Sequence, residues 1–139
     1  MFLAFPLLAL PVLIYNLVLL TMHGGVQTPD AAGQLSAALF TIHMSSGGEW
    51  SVSLGELLLA ASLVVLFVEL LKSTNSRNVA ILNHSFSMIL FVVCLVEFLL
   101  LRGFATSVFF LITLMVLLDV LAGFIVTIVA SRREIDLAH

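Results

Sequence analysis

FATSVFFLITLMVLLDVLAGFIVTIVA, residues 104–130, holds one charged side chain, Asp119, in an otherwise apolar run. A hydrocarbon core of about 30 Å needs about 20 helical residues, so this stretch reads as a membrane-spanning helix with length to spare. Working outward, residues 79–101 and 54–71 have the same character, and residues 2–22 repeat it at the start of the chain. The expected fold is all-α: one membrane domain, residues 1–139, with four transmembrane helices and a charged, mobile tail at 131–139.

Composition points the same way. The chain is 62% hydrophobic and only 9% charged, with a mean hydropathy of +1.26, whereas soluble domains carry about 25% charged residues. The formal net charge of -3 and the five scattered Lys and Arg residues exclude nucleic acid as a partner, since phosphate backbones are met by clustered cations. The lipid bilayer is the first partner implied. Cys94 is the single cysteine, which rules out an intrachain disulfide and a cysteine metal cluster.

In the first segment, Pro6 suits a first turn, while Pro11 predicts a kink. No Lys or Arg precedes this segment and no small-residue cleavage site follows it, so it reads as a retained helix and not a signal peptide. In the loop between the first two spans, Thr28-Pro29-Asp30 has the form of a helix start. Ala31, Leu35, Ala38, Leu39 and Ile42 then recur at helical spacing, predicting a short amphipathic helix over 28–44 on the outer membrane surface. Ser45-Ser46-Gly47-Gly48 breaks that helix, and Trp50 stands at the entry to the second span as an interfacial anchor.

With four spans, Lys72, Arg77, Arg132 and Arg133 fall on one side and Arg102 on the other. Positive residues collect in cytoplasmic loops, so both termini are expected in the cytoplasm, with the bacterial inner membrane as the expected location.

Five ionisable residues lie within or at the ends of the apolar spans, where an Asp at a helix centre costs roughly 2.5–3.5 kcal/mol on insertion scales. Ser53-Leu-Gly-Glu56 has the form of a capping box, which accounts for Glu56. Glu69 precedes Lys72 by three residues, a spacing that allows a helical ion pair with the carboxylate reaching headgroup depth. Gly55, Ser62 and Glu69, spaced by sevens, predict a packed face.

The other three are candidates for an ion path. His84 lies about 7 Å inside the third span. It stands beside a stripe of Asn83, Ser87, Cys94 and Glu97 that lipid would penalise. Glu97 is placed either for a salt bridge with Arg102 or for an outer proton or cation site. Asp119, near mid-membrane with no cation in its span, is the strongest candidate; it needs a partner, water or a proton there. By depth, His84, Asp119 and Glu97 form an inner, middle and outer series, with Ser87, Cys94, Thr113 and Thr127 as possible water holders between them. In the outer loop, His23, Asp30, His43 and Glu49 are metal-ligand types without a ligand motif, and solvated surface side chains are the expectation, with no metal site.

Ala80-x-x-x-His84 resembles the A-x-x-x-H pattern by which bacterial light-harvesting helices present a histidine to bacteriochlorophyll. The resemblance covers five residues of one helix and implies a pigment-binding role for His84; a quinone is a second ligand class considered there. The cofactor itself is unknown.

Three functions follow as expectations. The foremost is a non-enzymatic accessory or assembly subunit that packs through its polar helix faces in a larger or homo-oligomeric membrane complex. The second is a small proton- or cation-coupled transporter or channel using Asp119, Glu97 and His84; the third is the pigment or quinone protein. No Ser-His-Asp order, H-E-x-x-H, nucleotide loop or cysteine pair points to an enzyme. Whether the polar stripes of the last two spans face each other or an outside partner separates the first two readings.

Overall fold

The computed structural model describes residues 4–72 and 77–138. Its elements in chain order are α1 (Ala9–Thr21), α2 (Ala31–Ser36), strands β1 (Ala38–His43) and β2 (Glu49–Ser53), α3 (Leu54–Lys72), α4 (Arg77–Leu100) and α5 (Ser107–Ala138). Single 3-10 turns stand at Gly25–Gln27 and Arg102–Phe104. The chain is mostly helical, and three of its helices are long and apolar enough to cross a membrane: Leu54–Lys72, Ala80–Leu100 and Ser107–Leu137.

The expected first span is reduced. Helix α1 has 13 residues and so a length of about 20 Å, short of the roughly 30 Å core. Proline chemistry sets where it begins. Pro6 lies ahead of the helix and Pro11 is its third residue, a first-turn position where the missing N–H has no partner to lose. Pro11 therefore belongs to the helix start instead of kinking its middle. Residues 2 and 3 of the expected span lie outside the described residues.

The loop corrects a second expectation. Helix α2 stops at Ser36, and the remainder of the stretch expected to be helical becomes β1, paired antiparallel with β2. Ile42 pairs with Trp50, Thr41 with Ser51 and His43 with Glu49, with an irregularity between Ala38 and Phe40. Leu39 to Ile42 and Trp50 to Val52 are rich in aromatic and β-branched residues, which favour a pleated strand. Ser45-Ser46-Gly47-Gly48 supplies the turn, with Gly47 at φ 90° and the Met44 N–H bonded to the Gly48 carbonyl at 2.8 Å.

The tail is a third correction. Helix α5 runs on to Ala138 over 32 residues, about 48 Å at 1.5 Å per residue, because no Gly or Pro after Gly123 stops it.

Helix α5 carries the core. Phe109, Ile112 and Val116 are fully buried, and Met115 and Val120 nearly so. Helix α3 packs on it through Gly55, Leu58, Ser62 and Glu69, the heptad-spaced face. A β-carbon on Gly55 would stand 2.8 Å from Val108 Cγ2, so glycine is what lets α3 approach the start of α5. Helices α4 and α5 form an antiparallel hairpin closed by the Arg102–Phe104 turn. Against this turn the middle of α1 is fixed by Tyr15, whose hydroxyl donates to the Gly103 carbonyl at 2.8 Å and shares a 2.7 Å bond with Thr106 Oγ1. Its ring packs between Phe104 and Phe109, with centroids 5.2 and 4.8 Å away.

Candidate functional site

At the end of the bundle opposite the β-hairpin, the chain leading into α1 cannot satisfy its own backbone. Pro6 keeps it out of the helix, and the amides ahead of a helix have no intrahelical acceptor. Polar side chains of α3 and α4 take these groups. The Leu7 N–H donates to Glu69 Oε2 at 2.9 Å, Lys72 Nζ donates to the Phe5 carbonyl at 2.7 Å, and Asn83 Nδ2 donates to the Ala4 carbonyl at 3.5 Å. Lys72 and Glu69 are joined at 3.3 Å.

Glu69 is thus turned inward, onto the N-terminal segment. Its side chain is 0% exposed, and its second oxygen, Oε1, is buried without a hydrogen-bond partner among the described residues. An uncompensated acceptor in a low-dielectric interior is costly.

Asp119 is 5% exposed and lies on α5, the helix against which the buried Glu69 face of α3 packs. Its Oδ2 accepts the Ser87 hydroxyl of α4 at 2.8 Å. One turn further along, His84 of α4 packs on α5: its ring lies edge-on to Phe124, with centroids 4.6 Å apart, and its Nδ1 is buried against Gly123 without a hydrogen-bond partner. Only glycine leaves room there, because a β-carbon would overlap the imidazole. Ser87 and His84 of α4 therefore face Asp119 and Gly123 of α5. Glu69, Lys72, Asn83, His84, Ser87 and Asp119 come together from three helices, with two carboxyls and one ammonium among them.

Glu97 stands apart from this cluster. Its Oε1 accepts from Asn16 Nδ2 of α1 at 3.5 Å, while the Arg102 backbone N–H bonds Gln27. Glu97 meets α1 instead of forming the salt bridge with Arg102 considered from the sequence. Between it and Asp119, the fully buried Phe109, Ile112 and Val116 fill the interior. Thr113 donates to the Phe109 carbonyl of its own helix, as Thr127, beyond Asp119, does to that of Gly123. The inner, middle and outer series becomes one cluster at one end and a separate Asn16–Glu97 pair at the other.

At the hairpin end, Ser53 and Glu56 hold each other reciprocally. The Ser53 N–H donates to Glu56 Oε2 at 2.9 Å, and the Glu56 N–H donates to Ser53 Oγ at 3.3 Å, capping α3. Of the loop residues considered as metal ligands, His43 and Glu49 pair across the strands at 3.5 Å.

The role of Lys72 and Asn83 as clamps on the N-terminal backbone was missed from the sequence. The available signal was Pro6, which leaves backbone groups orphaned inside an apolar segment and obliges a neighbouring helix to supply partners. No protein-family model, curated protein or solved structure matches the chain, and the functional reading rests on this geometry.

Proposed function

We propose that the protein is a small proton-coupled membrane protein in which the Glu69–Lys72–Asp119 cluster binds the proton. The observation that carries this reading is the fully buried Glu69 carboxylate, one oxygen unpartnered, beside a second carboxyl and a single ammonium. Among the described residues, and with His84 neutral, two carboxylates and one ammonium leave one negative charge in excess, and in a low-dielectric interior one proton removes it. Asp119 is the group assigned to take that proton, since Glu69 already has Lys72.

The apolar layer of Phe109, Ile112 and Val116 closes the cluster off from Glu97 in this conformation. A proton would therefore enter from the Lys72 end, and release toward Glu97 would need the helices to shift, as alternating access requires. The orientation proposed with this reading places Lys72, Arg132 and Arg133 in the cytoplasm of a bacterium.

An assembly subunit stands second. That reading draws on polar faces turned outward, whereas Ser87 and His84 of α4 are turned on α5 and Asn83 and Glu97 meet the N-terminal segment. A pigment or quinone site at His84 stands third, since Nδ1 is closed off by α5, leaving Nε2 as the nitrogen for a ligand.

The test is proton movement in reconstituted vesicles carrying a pH-sensitive dye, driven by a potassium diffusion potential. Wild-type vesicles should change internal pH, and Asp119→Asn should abolish the change. A wild-type protein that moves no protons, or an Asp119→Asn protein that moves them as fast, overturns the proposal.

A further inference from the structure

The β1–β2 hairpin projects from the bundle with all of β1 and most of β2 exposed. An isolated two-stranded hairpin is at best marginally stable in water, so its environment must contribute. Its two faces differ. Residues directly opposite each other in an antiparallel pair share a face. One face therefore carries Thr41 and Ser51, hydroxyls 3.1 Å apart, with the His43–Glu49 pair beyond them.

The other face carries Phe40, Ile42, Trp50 and Val52. Phe40, Ile42 and Trp50 are 47%, 40% and 48% exposed. No charge lies on this face, and the segment from Ala38 to Ser53 contains no Lys or Arg.

Covalent continuity decides what covers it. Strand β2 ends at Ser53 and α3 begins at Leu54 with no intervening loop, and the Ser53–Glu56 box fixes the junction. Helix α3 is one of the membrane-length helices, so the hairpin starts at the level where that helix enters the bilayer. Trp prefers that level, with its ring among the headgroups.

We propose that the hairpin is an interfacial anchor, laying its Phe40–Ile42–Trp50 face into the headgroup layer of the membrane that α3 enters. Its polar face, with the His43–Glu49 pair, faces water. Because the apolar face carries no cation, the contact is hydrophobic and independent of anionic lipid.

Trp50 is the only tryptophan, so its fluorescence reports on the hairpin alone. The full-length protein is reconstituted into phosphatidylcholine vesicles, with lipids brominated either near the headgroup or near the chain ends. Shallow bromines should quench Trp50 roughly twofold more than deep ones, and aqueous iodide should quench it weakly, with the same result when anionic lipid is added. The Phe40→Ser, Ile42→Ser double variant should make Trp50 accessible to iodide while far-UV circular dichroism shows the spans intact. If that variant does not fold, the wild-type quenching profile decides alone. Strong iodide quenching of the wild type, or a need for anionic lipid, overturns the proposal. So does efficient disulfide cross-linking between copies of an Ile42→Cys protein in a Cys94→Ser background, which would put a second copy on this face.

Discussion

Glu69 shows how one side chain serves both architecture and chemistry. Its Oε2 holds the Leu7 amide and the Lys72 ammonium, while Oε1 is left without a partner. Removing one member of a buried ion pair costs about 3–5 kcal/mol, because the other charge is left uncompensated. Lys72 keeps its bond to the Phe5 carbonyl and has 11% of its side chain exposed, so Glu69→Ala should fall at the low end, near 3 kcal/mol. Glu69→Gln keeps an acceptor for Leu7 and loses only the charge, so it should cost less. Thermal unfolding in detergent should rank wild type above Glu69→Gln above Glu69→Ala. An alanine variant as stable as wild type would show that the contact does not hold α1 in place.

The α4–α5 pairing depends on a match between one small and one large residue. Gly123 makes room for His84, and an added β-carbon would overlap the imidazole. Overpacking of this kind costs about 1–3 kcal/mol, so Gly123→Ala should lower the unfolding midpoint. In a His84→Ala background the same substitution should cost little. The two changes should therefore be coupled by roughly 1 kcal/mol or more in a double-mutant cycle; simple additivity would mean the two residues do not compete for the same space. At this scale the sequence was readable wherever hydrophobic length decided the outcome: α3, α4 and the start of α5 follow from apolar runs alone. It misled where two periodicities fitted the same residues. Ala31, Leu35 and Ile42 satisfy a helical spacing, yet Phe40, Ile42, Trp50 and Val52 also satisfy a strand alternation on either side of a Ser-Ser-Gly-Gly turn, and the hairpin pairing of β1 with β2 won. The cluster was half legible. Asp119, His84 and Ser87 stood out as polar residues in apolar runs, but joining them to Glu69 needed the packing of α3 on α5, and no spacing within one helix reveals that.

The cationic residues divide the whole molecule into two ends. Lys72, Arg132 and Arg133 stand at one and Arg102 at the other, while the lead-in to α1 lies against Lys72 through Phe5 and α1 itself against Gly103 through Tyr15. A helix of 13 residues is too short to cross alone, yet its lead-in is tied to α3 and α4 at one end and Tyr15 to the α4–α5 turn at the other. The N-terminal segment is thus stretched along the bundle, its missing length made up by backbone that Glu69, Lys72 and Asn83 satisfy. If this segment crosses with the three longer helices, Ala4 lies on the same side as Ser131, and Ser46 at the hairpin tip lies opposite. Cys94 is fully buried, and replacing it by serine gives a background for single cysteines. A membrane-impermeant maleimide applied to intact bacteria should label Ser46→Cys, and should label Ala4→Cys and Ser131→Cys only after lysis. Labelling of Ala4→Cys together with Ser46→Cys would mean that α1 re-enters without crossing. Labelling of Ser131→Cys in intact cells, with Ser46→Cys protected, would invert the proposed orientation and place the proton entrance of the Glu69 cluster outside the cell.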